Sequence, residues 1–409
     1  MTWLFSLALA STTVWIGLLI GWHGFWRAEP RLPRDLPAPD GDWPGVVAII
    51  PARDEATTIA AVVAAHSATT YPGPIAVVVV DDGSTDGTGD LARDAAAGGV
   101  TLQVVTAPPL RPGWSGKMGA VAAGIDHAES RADAAFAAAQ YWLLTDADIL
   151  HAPDTLARLV ALAEHQDRAL VSLMARLETG PPLWHGALGR LLVPAYVFFF
   201  QKLYPFAAVA DPSSRVAGAA GGCMLVNRAA LTEAGGISAI RDALIDDCAL
   251  AALLKRRGGR LWLGLAEREV ISLRDTGRAA VIWQTVVRTA YVQLQRSPWL
   301  LLGCVLGMGF LYLSAPVAAL VGVLGGGGAT NGSAALMISG LAGWSLQALA
   351  FAPTLSALGV SRLLAPLLPV AGFLYLLMTL DSARRDWLGR GAPWKGRTYG
   401  GEPADTPPR

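Results

Sequence analysis

The hydrophobic and polar positions divide the chain into distinct regions. Residues 3–25 form an apolar stretch without Lys, Arg, Asp or Glu, and further apolar stretches cover about residues 299–324, 334–358 and 363–380. Because about 20 apolar residues suffice to cross a bilayer, the first predicts a transmembrane anchor (1–26) and the others predict C-terminal transmembrane helices (298–381). Residues 45–297 carry nearly all the charge and predict a soluble unit, and 382–409 form a polar, basic tail.

The charges beside the first stretch predict its orientation. No Lys or Arg precedes it, whereas Arg27, Arg31 and Arg34 follow it. Because Lys and Arg are enriched on the cytoplasmic side, we expect an uncleaved anchor in the cell (inner) membrane, with the soluble unit in the cytoplasm. A cleaved signal peptide is the alternative. Three later crossings would place the basic tail outside, so we expect one of them to be re-entrant or interfacial.

Within 45–297, short apolar runs alternate with helical patterns. Strands are predicted at residues 46–51, 75–80, 101–105 and 141–144, and helices follow the first three of them. Such alternation implies right-handed crossovers and a doubly wound, mostly parallel sheet, so the predicted fold class is α/β. Further on, "GGCMLV" predicts another strand, and "LIDDCALAALLKRRGG" predicts a helix with acids at its start and bases at its end.

Residues 183–210 are apolar and aromatic but are interrupted by Gly, Pro, Arg190 and Lys202. These interruptions argue against a straight crossing of the bilayer. We expect a pair of interfacial helices lying against the membrane, with a helix in the soluble core as the alternative.

Composition restricts the partners. The chain is 53% hydrophobic and 16% charged, and its 32 Lys and Arg balance its 32 Asp and Glu. This profile favours a membrane protein, and it gives no basic field that would indicate nucleic-acid binding. The 3 cysteines have neither the spacing of a zinc site nor the even number of a disulfide framework.

Polar residues follow each predicted strand, at the edge where doubly wound sheets bind ligands. Asp146 and Asp148, in "TDAD", can both reach one Mg²⁺ or Mn²⁺ that also binds substrate phosphates, although a turn acid and a helix cap are the plainer interpretation. "DDGSTDGT" offers Asp81 and Asp82 to a nucleoside, or forms an Asx-rich turn. Asp54 and Glu55 follow the first strand.

Two other charged sites complete the predicted set. Lys117 can contact a phosphate as a point charge, or lie in solvent at a helix start. Asp246 and Asp247 begin the later helix, and one of them can act as a general base; helix capping is compatible with that role.

In order and spacing, "IIPARDE", "VVVVDDGSTDGT", "GK", "LLTDAD", "GGCMLVNR" and "IDDCAL" resemble the motifs of inverting glycosyltransferases of family 2, which have a GT-A fold. Membrane-embedded, lipid-directed members are the most similar. "PGWSGKMGAV", "RTAYVQLQRSP" and "WKGRTYGG" resemble the hopanoid biosynthesis-associated glycosyltransferases, with ceramide glucosyltransferases as more distant relatives.

The resemblance implies roles for individual residues. Asp54, Glu55, Asp81 and Asp82 would hold the nucleoside, and Asp146 and Asp148 would bind the diphosphate through a divalent metal. Asp247 would be the base; its neighbour is Asp246 where the family has Glu.

The family's Gln/Arg-x-x-Arg-Trp motif is altered here. In "WQTVVRTAY", Gln284 and Arg288 are one residue too far apart and no Trp follows. We still expect Arg288 to contact the phosphate or the acceptor, while the departure argues against processive polymer synthesis.

The resemblance therefore implies transfer of a sugar from a nucleotide sugar, expected to be a UDP-sugar, to a hydroxyl of a membrane lipid such as a hopanoid. A polyprenyl phosphate or polysaccharide acceptor is the alternative within this class. A membrane scaffold that binds nucleotide sugars without turnover is the alternative outside it.

Overall fold

The computed structural model describes residues 2–95, 99–179, 187–325, 331–389, 392–394 and 397–399. These residues form two compact units. We call Glu29–Leu177 with Phe206–Arg274 the α/β unit, and we call the described residues of 1–28, 178–205 and 275–409 the apolar-helix unit.

The described strands are β1 (Gly45–Ala52), β2 (Ile75–Asp81), β3 (Thr101–Thr106), β4 (Ala139–Thr145), β5 (Ile149–His151), β6 (Leu170–Met174), β7 (Cys223–Asn227), β8 (Leu261–Leu265), β9 (Val270–Ser272), β10 (Ala392–Trp394) and β11 (Arg397–Tyr399). The described α-helices are α1 (Thr2–Gly21), α2 (Ile59–Ser67), α3 (Thr88–Asp94), α4 (Gly116–Glu129), α5 (Ala134–Ala137), α6 (Thr155–His165), α7 (Ala187–Leu203), α8 (Phe206–Ala210), α9 (Arg228–Glu233), α10 (Asp246–Arg256), α11 (Ala279–Gln293), α12 (Pro298–Met308), α13 (Ser314–Leu324), α14 (Asn331–Ala357) and α15 (Leu368–Trp387).

A seven-stranded sheet forms the centre of the α/β unit, in the order β3-β2-β1-β4-β7-β6-β8. Neighbouring strands run parallel except at β7, which is antiparallel to both β4 and β6. The central strands are covered on both faces, and for this reason their sequences are continuous apolar runs. The predicted α/β class with a mostly parallel sheet is confirmed, and the four predicted strands are β1 to β4.

Helices of the α/β unit pack apolar residues on this sheet. Ile59, Val62 and Val63 of α2 are buried in the same core as the strands. The helix predicted after the second strand is α3, which ends at Asp94; residues 96–98 lie outside the described part. The helix α10 ends before Gly258, whose φ of 85° is in the left-handed region that glycine adopts readily.

Four helices in the described residues are long and apolar enough to cross a membrane: Thr2–Gly21, Pro298–Leu324, Gly332–Ala357 and Arg362–Trp387. The second contains α12 and α13, joined by a π-helical turn at Gly309–Leu313. The last contains the apolar stretch 363–380 and consists of a 3₁₀ turn followed by α15, which ends at Trp387. The prediction of four long apolar helices is thus confirmed.

The interrupted 183–210 region contains two helices that belong to different units. The helix α7 contributes the buried Leu192, Val193 and Phe198 to the apolar-helix unit. The short helix α8 packs on β8 in the α/β unit. Residues 180–186 lie outside the described part.

Candidate active site

Strands β1, β2, β3 and β4 run in the same direction, so their carboxyl ends share one edge of the sheet. The charged segments predicted from sequence begin at these ends: Arg53 follows β1, Asp81 ends β2, and Asp146 follows β4. The helix α4 begins beside this edge, with Ser115 capping the Met118 N–H.

Lys117, in the first turn of α4, bridges two acids from distant parts of the chain. Its Nζ lies 2.8 Å from Asp146 Oδ1 and 3.0 Å from Asp246 Oδ2. Burial lowers the pKa of the Lys117 ammonium, but the attraction of the two carboxylates outweighs this effect, so the pKa is raised overall. The predicted phosphate contact is therefore a permanently charged ammonium that is already shared by two carboxylates.

Asp247 lies next to this cluster and is held by backbone amides. The Gly221 N–H donates to Asp247 Oδ2 at 2.9 Å, and the Cys248 N–H donates to Oδ1 at 2.7 Å. Burial and the neighbouring Asp246 charge raise the pKa of Asp247 to about 6. Hydrogen bonds and Lys117 oppose that rise. A carboxylate with a pKa near neutrality can accept a proton and release it again at physiological pH.

A pocket opens over these charges. Its lining includes Lys117, Asp146, Gly221 and Asp246 on the polar side and Ile237, Ile240 and Leu250 on the apolar side. All lining residues come from the α/β unit. The structure therefore brings together Lys117, Asp146, Asp246 and Asp247, although they lie far apart in the sequence.

Asp148 has a different environment from Asp146. It is only 4% exposed, and its Oδ2 lies 3.0 Å from the Arg274 guanidinium. Burial raises its pKa, the Arg274 charge opposes the rise, and Asp146 and Glu55 add to it. Glu55, Asp146 and Asp148 thus face the same guanidinium.

The two predicted metal ligands supply the carboxylate oxygens that hard divalent cations prefer. Within the described residues, no group of three or more His, Cys, Asp and Glu side chains is arranged to hold a metal by itself. Two carboxylates fit a cation that completes its coordination shell with water and substrate phosphates.

The acids after β1 and β2 make local contacts. Asp81 Oδ1 accepts the Ser84 N–H at 2.8 Å, and Asp54 Oδ1 accepts the Thr85 N–H at 2.9 Å. Asp82 is 6% exposed, pairs with Arg53, and lines a second pocket with Arg111 and Trp114. The Asx-turn interpretation of "DDGSTDGT" thus holds for Asp81, while Asp82 faces a cleft that an aromatic ring also lines.

Sequence reasoning missed Arg274 and the amides of Gly221 and Cys248. Arg274 stands in an unremarkable "SLRDTG", but the double glycine of "GGCMLV" was a usable signal. A side-chain carbon on Gly221 would lie 3.4 Å from both Asp247 Oδ2 and Lys117 Nζ, so the backbone approaches both charges closely. Arg288 lies on α11, in the apolar-helix unit.

A family model described as glycosyltransferase like family 2 matches residues 44–288, more than half of the chain. The chain belongs to this family. Its α/β unit is a GT-A fold, and the protein is a glycosyltransferase that transfers a sugar. No curated protein sequence matches the chain.

Solved structures agree with the fold. The chain is similar to the mannosyltransferase PcManGT from Pyrobaculum calidifontis, solved with GDP-Man and Mn²⁺, with 22% identity, a TM-score of 0.52, and coverage of 91% of this chain and 99% of that one. Similarity to glucosyl-3-phosphoglycerate synthase from Mycobacterium tuberculosis, solved with Mn²⁺, UDP and glucosyl-3-phosphoglycerate, is weaker: 18% identity, a TM-score of 0.38, and coverage of 61% and 79%.

Proposed function

We propose that this enzyme is a membrane-bound inverting glycosyltransferase that moves a sugar from a nucleotide sugar to a hydroxyl of a membrane lipid. The observation that carries the proposal is the environment of Asp247. Its carboxylate is fixed by two backbone amides and has a pKa of about 6, beside the Lys117–Asp146–Asp246 cluster. This environment supports a role for Asp247 as the base, beside a pocket whose wall includes Lys117 as the proposed phosphate contact.

The reaction is a single in-line displacement. Asp247 takes the proton of the acceptor hydroxyl while the acceptor oxygen forms a bond to C1 of the sugar. The bond between C1 and the diphosphate oxygen breaks, and the nucleoside diphosphate leaves with that electron pair. Because one displacement occurs and no sugar-enzyme bond forms, the configuration at C1 inverts.

Charge at the pocket supports departure of the diphosphate. Lys117 offers an ammonium at the pocket wall, and Asp146 and Asp148 would hold a Mg²⁺ or Mn²⁺. When bound, that cation supplies charge neutralisation to the leaving diphosphate. The mannosyltransferase described above was solved with GDP-Man and Mn²⁺, and this supports the proposal of a divalent cation here.

The donor nucleoside is proposed to bind at the carboxyl ends of β1 and β2. Asp82, with Trp114 in the same cleft, can accept a hydrogen bond from a ribose or base while the indole offers a stacking surface. Asp54, Glu55 and Asp81 shape the loop that borders this cleft. A UDP-sugar is the proposed donor, by the resemblance described above.

A lipid acceptor is supported by the four helices that are able to cross a membrane. An enzyme anchored in this way meets its acceptor in the bilayer rather than in solution. A hopanoid is the proposed lipid, and we assign the α/β unit to the cytoplasmic face of the cell membrane, where nucleotide sugars are made. Arg288, on α11, is proposed to contact the phosphate or acceptor.

The test is a screen of nucleotide sugars against the purified full-length protein with membrane lipids, with and without EDTA. We expect one nucleotide sugar to yield a glycosylated neutral lipid of inverted configuration, and EDTA to abolish the product. Sugar recovered on a polyprenyl phosphate or a polysaccharide would replace the proposed acceptor. Binding of a nucleotide sugar without any transfer would replace catalysis with a scaffold role.

A further inference from the structure

A buried hydrogen-bonded chain lies directly behind the pocket. Thr145, the last residue of β4, is 2% exposed, and its Oγ1 lies 2.7 Å from the Gly222 carbonyl oxygen and 3.0 Å from His151 Nε2. His151, the last residue of β5, is 7% exposed. Thr145 is one of the residues that line the pocket, but its hydroxyl is hydrogen-bonded to Gly222 and His151, and His151 does not line the pocket.

The direction of each hydrogen bond follows from the groups involved. A carbonyl oxygen can only accept, so the single hydroxyl proton of Thr145 goes to Gly222. His151 Nε2 must then carry the proton and donate it to Thr145 Oγ1. The tautomer of His151 is therefore fixed, with Nδ1 unprotonated, and the chain runs from His151 through Thr145 to Gly222.

The carbonyl at the end of this chain belongs to the segment that holds Asp247. Gly221, the residue before Gly222, donates its N–H to Asp247 Oδ2 at 2.9 Å. On the other side, Ser172 Oγ accepts the Ala220 N–H at 2.9 Å. Residues 220–222 are thus held by hydrogen bonds to Ser172 of β6 and to Thr145 of β4. Between these two contacts, the Gly221 N–H donates to the proposed base.

We infer that Thr145 and His151 are positioning residues, because their hydrogen-bonded chain fixes the Gly221–Gly222 backbone whose amide orients the Asp247 carboxylate. This inference rests on the proposed role of Asp247 as base. It also explains why β4, which is followed by Asp146, ends in a buried threonine. Thr145 is adjacent to Asp146, the proposed diphosphate-side ligand, and its hydroxyl also orients the backbone that holds the base on α10.

The ring of His66, on α2, packs beside the His151 end of this hydrogen-bonded chain. Its ring lies 4.9 Å from the His151 ring, centroid to centroid, and is 3% exposed. Burial lowers the pKa of His66 to about 4, and burial together with the neighbouring His66 lowers the pKa of His151 well below its usual value. Both rings are therefore neutral at pH 7, and the chain orients groups without carrying charge.

The first experiment compares Thr145→Val with Thr145→Ser in the full-length protein. Valine keeps the shape but removes the hydroxyl, while serine keeps it. Hydrogen exchange with mass spectrometry reports on residues 220–223 without any substrate. We expect exchange in Thr145→Val to be about 10-fold faster there, since a lost hydrogen bond of about 1.4 kcal/mol changes an opening equilibrium tenfold. Thr145→Ser should exchange like the wild type.

The same variants are assayed with the donor and acceptor found in the screen. A base displaced by a fraction of an ångström slows the chemical step, so kcat of Thr145→Val should fall about 10-fold with KM for the nucleotide sugar nearly unchanged. Thr145→Ser should restore most of kcat. His151→Gln, whose amide can still donate to Thr145, should lose less activity than His151→Phe, which cannot.

A pH profile separates positioning from general weakening of the fold. The charged groups facing Asp247 are Asp246 on its own helix and Lys117 from α4. The Gly221 amide stabilises the charged carboxylate, so loosening it raises the pKa of Asp247. The acid limb of kcat should therefore move to higher pH in Thr145→Val and stay in place in Thr145→Ser.

The outcomes distinguish this inference from the function on which it rests. If Asp247→Asn keeps full activity, the proposed base is wrong whatever Thr145 does. If Asp247→Asn is inactive but Thr145→Val matches Thr145→Ser in exchange, kcat and acid limb, the base stands and the positioning role is refuted.

Discussion

The two units of this enzyme differ in the kind of polar groups that they bury together: charged groups in the α/β unit and neutral hydrogen-bonding groups in the apolar-helix unit. In the α/β unit, Lys117 is shared by two carboxylates, and a third carboxylate, Asp247, lies beside them with a pKa raised to about 6. In the apolar-helix unit, a single backbone oxygen, that of Leu311 in the π-helical turn, accepts from Ser11, Trp15 and Gln347. The first arrangement concentrates charge at a pocket, whereas the second pairs neutral donors with one neutral acceptor.

This difference is consistent with catalysis in the α/β unit and with packing of apolar helices in the other unit. A pocket that moves a proton and releases a diphosphate needs groups whose charge can change or be compensated by substrate. Helices that are long and apolar enough to cross a bilayer bond their polar groups mainly to one another, because hydrocarbon offers no hydrogen-bond partner. Changes at the pocket should therefore affect turnover more than stability, and changes among the apolar helices should do the reverse.

The largest expected effect is that of Asp247→Asn. The amide keeps the shape but cannot accept the proton, so kcat should fall about 10³-fold while the nucleotide sugar still binds. Steady-state kinetics and calorimetric titration of the donor measure the two quantities. The control is Asp90→Asn, at an exposed acid that pairs with Arg93 on the surface of α3. Equal loss in both variants would contradict the assignment.

The apolar-helix unit should respond most to crowding between helices. A side-chain carbon on Gly340 of α14 would lie 2.2 Å from the Ala319 backbone nitrogen of α13, whereas Gly303 of α12 has open space. We expect Gly340→Ala to lower the free energy of unfolding by about 2 kcal/mol, since overpacking displaces backbone. Gly303→Ala should change it little. Unfolding in detergent, with kcat measured on the folded fraction, checks both.

Removal of the Lys117 ammonium tests whether the charges of the α/β unit serve turnover or stability. Lys117→Met leaves Asp146 and Asp246 without their partner, and we expect a loss of about 2 kcal/mol in stability and a large loss of kcat. Adding Asp246→Asn should recover part of the stability because one repelling charge is gone, but it should not recover kcat. Recovery of both would mean that Lys117 serves only the fold.

The pH dependence of stability tests the raised pKa of Asp247 directly. Its folded pKa of about 6 lies above the ordinary value of 3.8, so the folded state prefers the protonated acid. The wild type should therefore lose stability relative to Asp247→Asn as pH rises from about 4 to 6, by about 1 to 2 kcal/mol. Above about pH 7, one unit beyond the folded pKa, the difference should be constant. Unfolding of both variants across this range is the measurement, and a flat difference would contradict the raised pKa.

The sequence predicted the strands and their polar ends because buried parallel strands are short apolar runs that stop at charged residues. β1, β2 and β4 have this pattern, and so Asp81 and Asp146 were found as strand ends. It could not predict that Asp246 meets Lys117, because that contact depends on how α10 lies across the end of β4. The partner of Asp148, Arg274, was also hidden, since its segment returns to the site through the pairing of β9 with β5, which the sequence pattern does not predict.

The smallest expected effect belongs to Gln347, which is fully buried on α14 and donates to the Leu311 carbonyl at 2.9 Å. Because Ser11 and Trp15 donate to the same oxygen, Gln347→Leu leaves that carbonyl satisfied. We expect a loss of about 0.6 kcal/mol, the usual size of one hydrogen bond between membrane helices, and unchanged kcat.

The matched variant Trp15→Phe removes the shorter bond at 2.8 Å, and the pair together should cost more than the sum of the two single losses, since only Ser11 then remains. Strictly additive losses would mean that the three donors act independently. The shared Leu311 carbonyl and the shared Lys117 ammonium would then differ only in the chemistry of the groups involved.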